Sequence, residues 1–217
     1  MSRFLNTLSL VLFLALVPDL LSAAIFPVKS LPEYLSAETK AKPGDTIEWA
    51  AGTFQDINWI ISKDGLVIKA AQPGATIFSG SSKVEIKAAG TTFCGFQFIG
   101  GTANGDICKI SGSHNVIEQL NFSDYRCNYY LNVATTAQHN TISYCNFEKK
   151  PEDKQSSVVQ IQVDEKEPGY HVVSHCSFKN HTAPPNAGGD YGIEALRIGY
   201  SYQAKFVSRR IVEDCYF

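Results

Sequence analysis

This sequence is short of charge. Asp, Glu, Lys and Arg make up 18% of its 217 residues and nearly cancel, leaving a formal net charge of −2. So even a balance argues against nucleic acid as the main partner, which calls for a basic excess. It does not favour an anionic ligand either, so a polyanion site would need a local basic patch. Long apolar runs are also scarce. Residues 8–17 form a ten-residue run, well short of the roughly 20 residues that cross a bilayer as a helix. P-loop, dinucleotide-binding, HExxH and Ser/His/Asp nucleophile-elbow signatures are missing, which removes the nucleotide, zinc-peptidase and Ser-hydrolase readings that those motifs carry. There is no CxxC pair, and no Cys/His spacing suits zinc.

What is present begins with a leader. Arg3 precedes the apolar run, Pro18 and Asp19 end it, and Ser22, Ala23 and Ala24 supply small residues for cleavage. Residues 1–24 therefore read as a secretory signal peptide, with a membrane anchor as the alternative. The expectation is a secreted chain with no membrane association after cleavage, and residues 25–217 as one domain. Asn121 and Asn180 fit the glycosylation sequon. Six Cys in a secreted chain admit two readings, disulfides or buried apolar thiols.

The organising feature is a short pattern that recurs five times. An aliphatic residue or Phe is followed, three positions on, by a small apolar residue or Cys, and two further on by Phe. The copies are Phe93/Phe96/Phe98, Ile117/Leu120/Phe122, Ile142/Cys145/Phe147, Val173/Cys176/Phe178 and Val212/Cys215/Phe217. Successive Phe are 24, 25, 31 and 39 residues apart, the range of a solenoid repeat. The Cys-x-Phe spacing has the period of a strand. No coil of this kind buries its apolar face alone, so neighbours must stack, about 4.8 Å apart, with like positions superposed. That is the logic of a parallel β-helix.

A second strand falls in each coil. Cys108/Ile110, Leu131/Val133, Val159/Ile161 and Leu196/Ile198 point inward, and Lys109, Asn132, Gln160 and Arg197 point outward as a polar ladder. Such a ladder suits a solvated face, or a long polar ligand. Ahead of the repeats, residues 30–41 predict a short helix, with Ser30 as N-cap and Pro32 and Glu33 in the first turn, covering the open end of the stack. Loops lengthen toward the C-terminus, as functional solenoid corners do. Asn180, His181, Asn186, Asp190, Tyr191 and Arg197 cluster there. Residues 164–167 carry three carboxylates but read as a solvated turn beside Pro168 and Gly169. Glu194 is either a buried, paired carboxylate or a strand-end residue outside the core. Phe217 falls inside a repeat, so the expectation is an incomplete domain.

The string His175-Cys-Ser-Phe-Lys-Asn-His181, then Gly188-Gly189 and Glu194-Ala-Leu-Arg-Ile-Gly199, resembles the chondroitinase B and alginate lyase family, polysaccharide lyase family 6. Residues 42–54 and 71–74 are similar to its opening coils. The resemblance implies a right-handed parallel β-helix, an all-β fold, that takes calcium and cleaves uronate-containing polysaccharide by β-elimination. Calcium would neutralise the uronate carboxylate and acidify the C5 proton, with a Lys as base and an Arg near the leaving oxygen. The family's Glu-x-Glu-Ile-Ile-Ser-x-Lys stretch, which supplies carboxylate ligands and base, is not in these residues. No catalytic residue is therefore assigned here, and the chain alone is expected to be inactive. The calcium-ligand Asn that the family places before Gly-Gly matches Asn186 imperfectly, with Asp190 as second candidate. Arg197 matches the family's Arg on its strand. The candidates to contact an anionic polysaccharide are Arg197, Lys109, Gln160 and His181. A secreted, non-catalytic carbohydrate-binding or structural β-helix is the alternative. A glycoside hydrolase would need two carboxylates facing one groove, and no such pair is evident.

Overall fold

The computed structural model describes residues 23–151, 156–181, 194–203, 205–206 and 208–217. The expected signal peptide falls almost wholly outside these residues, as do Asn186, Asp190 and Tyr191. No helix among the described residues is long and apolar enough to cross a membrane.

The chain winds into a parallel β-solenoid of three sheets, with eight, six and six strands among the described residues. The first sheet stacks Ile25–Val28, Thr46–Trp49, Val67–Ala70, Thr92–Cys94, Val116–Glu118, Thr141–Ser143, Val172–Ser174 and Ile211–Glu213. The second stacks Gly52–Gln55, Thr76–Gly80, Phe96–Thr102, Asn121–Arg126, Asn146–Glu148 and Ser177–Lys179. The third stacks Asn58–Ile61, Lys83–Ile86, Cys108–Ile110, Leu131–Val133, Val159–Ile161 and Leu196–Ile198. Each coil visits the three sheets in that order.

The repeat register read from the sequence is the register of the fold. Phe98, Phe122, Phe147 and Phe178 are direct strand partners. Their rings, continued by Phe217, stack with centroids 5.2, 5.3, 5.0 and 4.9 Å apart. The ladder also starts earlier than the repeat suggested, with Phe54 and Phe78 in the same column. Likewise Phe26, Ile47 and Ile68 head the column of Phe93, Ile117, Ile142, Val173 and Val212. The third inward column is Phe96, Leu120, Cys145, Cys176 and Cys215, buried except for half-buried Cys215. All six Cys are free thiols; Cys108, Cys127, Cys145 and Cys176 are buried, as the apolar-thiol reading expects, whereas Cys94 and Cys215 are half-buried. Cys145 and Cys176 donate to the Ser143 and Ser174 carbonyls, each at 3.3 Å.

The helix α1 spans Leu31–Lys40, with Ser30 as N-cap accepting the Glu33 N–H at 3.4 Å. Its Tyr34 is buried against Trp49 and Trp59, with ring centroids at 6.0 and 6.3 Å. The helix thus covers the aromatic end of the core, as expected. The strand Ile25–Val28 extends the first sheet beyond it and was not foreseen.

Corners carry much of the order. Gly65 and Gly90 adopt φ of 70° and 64°, and the same corner in later coils is taken by His114, His139 and Tyr170 at 59°, 52° and 50°. A non-glycine residue there costs roughly 1–2 kcal/mol. Stacking of the three rings, 4.9 Å apart at each step and within 6° of parallel, offsets part of it. Just inside, a buried ladder satisfies backbone donors. The Thr91 N–H donates to Asn115 Oδ1 at 2.8 Å, the Asn115 N–H to Asn140 Oδ1 at 2.8 Å, and the Asn140 N–H to His171 Nδ1 at 3.1 Å. The amide nitrogen of Asn140 returns to the Gly112 carbonyl at 3.0 Å. Only glycine fits at that point, because a Cβ on Gly112 would lie 1.9 Å from the Ala88 carbonyl oxygen.

His171 sits where the ladder would hold a third Asn. Burial and the nearby Arg210 cation push its imidazole down from 6.5 to about 4. The folded state therefore favours neutral His171. The stabilisation is complete above pH 6.5 and is lost as pH falls toward 4, by roughly 3 kcal/mol for a shift of this size. The variant His171→Asn keeps an acceptor for the Asn140 N–H and removes the titration. Urea unfolding should show wild type losing more stability than His171→Asn between pH 7 and pH 4.5. Parallel losses would contradict this account.

Candidate functional site: the outer face of the third sheet

The outer face of the third sheet is a ladder one residue wide. Ile60, Glu85, Lys109, Asn132, Gln160 and Arg197 are successive strand partners. The alternation that sends their neighbours into the core sends these outward. At the helix end, α1 and residues 104–106 enclose a groove of about 650 Å³ lined by Leu31, Leu35, Ile60, Lys83, Asp106 and Lys109. Lys109 Nζ lies 3.1 Å from Glu85 Oε1. Burial tends to raise the Glu85 carboxyl, but the Ser111 hydroxyl and Lys109 outweigh it and hold it below the usual range. Lys109 is thus half engaged within the protein.

In the middle of the ladder the expectation of solvated side chains is corrected. Asn132 is 5% exposed and Gln160 fully buried. They point outward from the coil, yet neighbouring side chains cover them and take their hydrogen bonds. Asn132 donates to Asp106 Oδ2 at 2.7 Å and accepts from Gln162 Nε2 at 3.3 Å. Burial raises the Asp106 carboxyl, against the pull of Asn132.

At the far end the residues converge on Arg197. Its Nε donates to Gln160 Oε1 at 2.6 Å, and one terminal nitrogen donates to the Tyr129 hydroxyl at 3.2 Å. The guanidinium carbon lies 4.7 Å from the Tyr200 ring centroid. The hydroxyls of Tyr129 and Tyr200 are 3.1 Å apart. Arginine has no acceptor, so the Tyr129 oxygen accepts the Arg197 N–H, and either hydroxyl can donate in the Tyr129–Tyr200 contact. Burial first, then the Tyr200 hydroxyl, pushes the Tyr129 phenol well above its usual range. Glu194 Oε1 is 3.9 Å from the other terminal nitrogen, and the Arg197 side chain is 15% exposed. Glu194 therefore belongs to the strand-end site outside the core. Beside it, Val163, Ile198, Tyr200, Gln203 and Phe206 line a cavity of about 370 Å³. Such a cluster can bind a carboxylate through a held guanidinium and an aromatic wall.

Of the four sequence candidates, Arg197 and Gln160 meet directly, and Lys109 lies further up the same face. His181 follows Ser177–Lys179 in the second sheet, where its Nδ1 accepts the Lys150 N–H at 3.3 Å. Among the described residues its contact is with that turn rather than with Arg197. The metal candidates Asn186 and Asp190 lie outside the described residues. Tyr129 and Tyr200 escaped sequence reading. Neither falls in a repeat column, and only the doubled Tyr129-Tyr130 hinted at side chains for two faces. Residues 164–167 do form a turn, with Asp164 Oδ1 accepting the N–H of Lys166 and of Glu167 at 2.7 and 3.1 Å.

The class these features define is a parallel β-solenoid with a polar strip and a clustered Arg along one sheet. The solved structures bear out the fold. The PL6 family alginate lyase AlyGC superposes with a TM-score of 0.77 at 22% identity, covering 89% of this chain and 28% of that one. A mannuronic acid specific polysaccharide family 6 lyase from human gut microbiota gives 0.73 at 18% identity, over 88% and 48%. A PL6 family polysaccharide lyase from Pseudopedobacter saltans gives 0.70 at 22% identity, over 87% and 46%. The chain thus spans between 28% and 48% of the length of these structures. No curated protein matches it. The Chondroitinase B family profile matches residues 28–217, and the chain belongs to that family.

The two sequons differ in environment. Asn121 Nδ2 donates to Gln97 Oε1 at 2.9 Å, and its Oδ1 accepts from Asn146 Nδ2 at 2.8 Å, within an outer amide ladder. A glycan on Asn121 would disturb that ladder, whereas Asn180 is exposed and its Nδ2 makes one surface hydrogen bond, to Glu148 Oε1 at 3.0 Å. In a glycosylating host, peptide mass spectrometry should find sugar at Asn180 and not at Asn121. Occupancy at Asn121 in folded protein would contradict the ladder.

Proposed function

We propose that this chain is the substrate-recognising portion of a polysaccharide lyase that acts by β-elimination on a uronate-containing polysaccharide, alginate or chondroitin/dermatan sulfate. One observation carries the reading: the family match coincides with a held Arg197 on the outer face of the third sheet. Two of the matched structures were solved with oligosaccharides, one alginate lyase with G6 and another with a trisaccharide. The near-neutral chain suits such a ligand only through a local cation, and Arg197 is loosely paired, with Glu194 at 3.9 Å. In this role Arg197 holds an acidic sugar's carboxylate, and Lys109 lies up the strip.

Calcium enters the proposal only through Asn186 and Asp190. Among the described residues no group of three or more His, Cys, Asp or Glu side chains could hold a metal ion. The chain is also proposed to be secreted and to bind without cleaving, since the Lys base and carboxylate ligands that the family resemblance implies are not among its residues. A purely carbohydrate-binding role is the second reading, favoured because the described side chains of Gln160, Tyr129, Tyr200 and Arg197 already form a cluster.

The test is incubation of the purified chain with alginate and with dermatan sulfate, with and without calcium, following unsaturated uronate and retention on immobilised polysaccharide. Retention without product is expected, and Arg197→Ala should abolish retention. Unsaturated product would overturn the proposed inactivity. Failure to bind either polymer would overturn the recognition role. Retention insensitive to chelator would favour the second reading.

A further inference from the structure

We infer that Gln160, Tyr129 and Tyr200 are positioning residues for Arg197, holding its guanidinium so that one terminal nitrogen is presented outward to the carboxylate of an acidic sugar. The inference rests on the polysaccharide-binding reading and adds which side chains set its affinity.

The argument starts from the five N–H donors of a guanidinium and their fixed fork. The Nε edge is taken by Gln160 at 2.6 Å, one terminal nitrogen by Tyr129 at 3.2 Å, and a face by Tyr200 at 4.7 Å. Among the described residues the other terminal nitrogen faces Glu194, at 3.9 Å, beyond hydrogen-bond length. Gln160 cannot turn over. Its amide nitrogen donates to the carbonyls of Ile161 and Gly199 at 3.2 and 3.4 Å. A flip would set its oxygen against those two carbonyl oxygens and its nitrogen against Arg197. The Ser157 hydroxyl, 3.4 Å from Gln160 Oε1, holds the same orientation. Tyr129 is fixed in turn by Tyr200 at 3.1 Å.

These contacts come from three successive coils. Tyr129 precedes the strand Leu131–Val133, Gln160 lies in Val159–Ile161 and Arg197 in Leu196–Ile198. A guanidinium held this way loses little rotamer freedom when a carboxylate docks, so its affinity depends on the network as well as on its charge. Nothing in this arrangement serves core packing, since Gln160, Asn132 and Lys109 sit on the outward side of the sheet.

The experiment uses the full chain and two probes of one network. Alginate oligosaccharide binding is measured by calorimetry for wild type, Arg197→Ala and Tyr129→Phe, with melting temperatures alongside. Exchange of the Arg197 Nε–H with solvent is followed by NMR in wild type and Tyr129→Phe. Arg197→Ala should lose binding. Tyr129→Phe, which removes a single oxygen, should bind roughly tenfold more weakly, as expected for a hydrogen bond to a charged group. Its melting temperature should be unchanged, and its Arg197 Nε–H should exchange faster. Equal affinity and equal protection in Tyr129→Phe would overturn the inference. Wild type that binds no acidic oligosaccharide, yet shows a protected Nε–H that Tyr129→Phe exposes, would leave the positioning intact and remove the polysaccharide reading. Lost melting stability with unaltered Nε–H exchange would make Tyr129 merely structural and count against the proposal.

Discussion

Superposition of like side chains on adjacent coils is the interaction on which this molecule depends. A thin coil of three short strands has no core of its own. Its inward side chains become a core only when the next coil lays matching residues over them. The Phe column shows the effect, with rings at a near-constant step from Phe98 to Phe217. Each stacked pair contributes about 0.5–1.5 kcal/mol beyond the burial of its area. The same constraint explains why coil length can grow from 24 to 39 residues without disturbing the columns. Extra residues must leave the stack at corners, so they collect as loops on the outside.

Register also dictates where polar groups can be. Buried backbone donors at the corners need partners in every coil, and Asn115 and Asn140 supply them by repeating one side-chain position. On the outer side of the third sheet, repetition sets dissimilar side chains in a line, from Ile60 to Arg197. Strand pairing fixes their Cα positions, so the hydrogen bonds among Gln160, Tyr129 and Arg197 need little further ordering. The face proposed to bind polysaccharide thus arises from the same geometry that builds the core.

Much of this was legible in the sequence because it rests on periodicity. The Phe and Ile/Val columns, the outward ladder and the Ser30 cap of α1 were all read at the right residues. The early coils were less legible, since Phe54 and Phe78 lack the Cys-x-Phe setting of the later copies. Corners filled by His114, His139 and Tyr170 were opaque, because left-handed backbone is signalled by Gly and not by these residues. Burial of Asn132 and Gln160 could not be read either. A residue's direction follows from strand parity, but its cover comes from side chains such as Asp106, Gln162 and Tyr129 in other coils. The site is the least legible part for that reason: Tyr129 and Tyr200 reach Arg197 from 68 and 3 residues away in sequence.

The central claim is the in-register stacking of coils, and paired cysteine substitution tests it most directly. Thr141 and Val172 are strand partners on the outer side of the first sheet, at a separation of about 4.8 Å that a disulfide can bridge. Mild oxidation of Thr141→Cys/Val172→Cys should give a cross-linked peptide by mass spectrometry, while Thr141→Cys/Ser174→Cys, two positions out of register, should not. Efficient cross-linking of the second pair with none in the first would contradict the account.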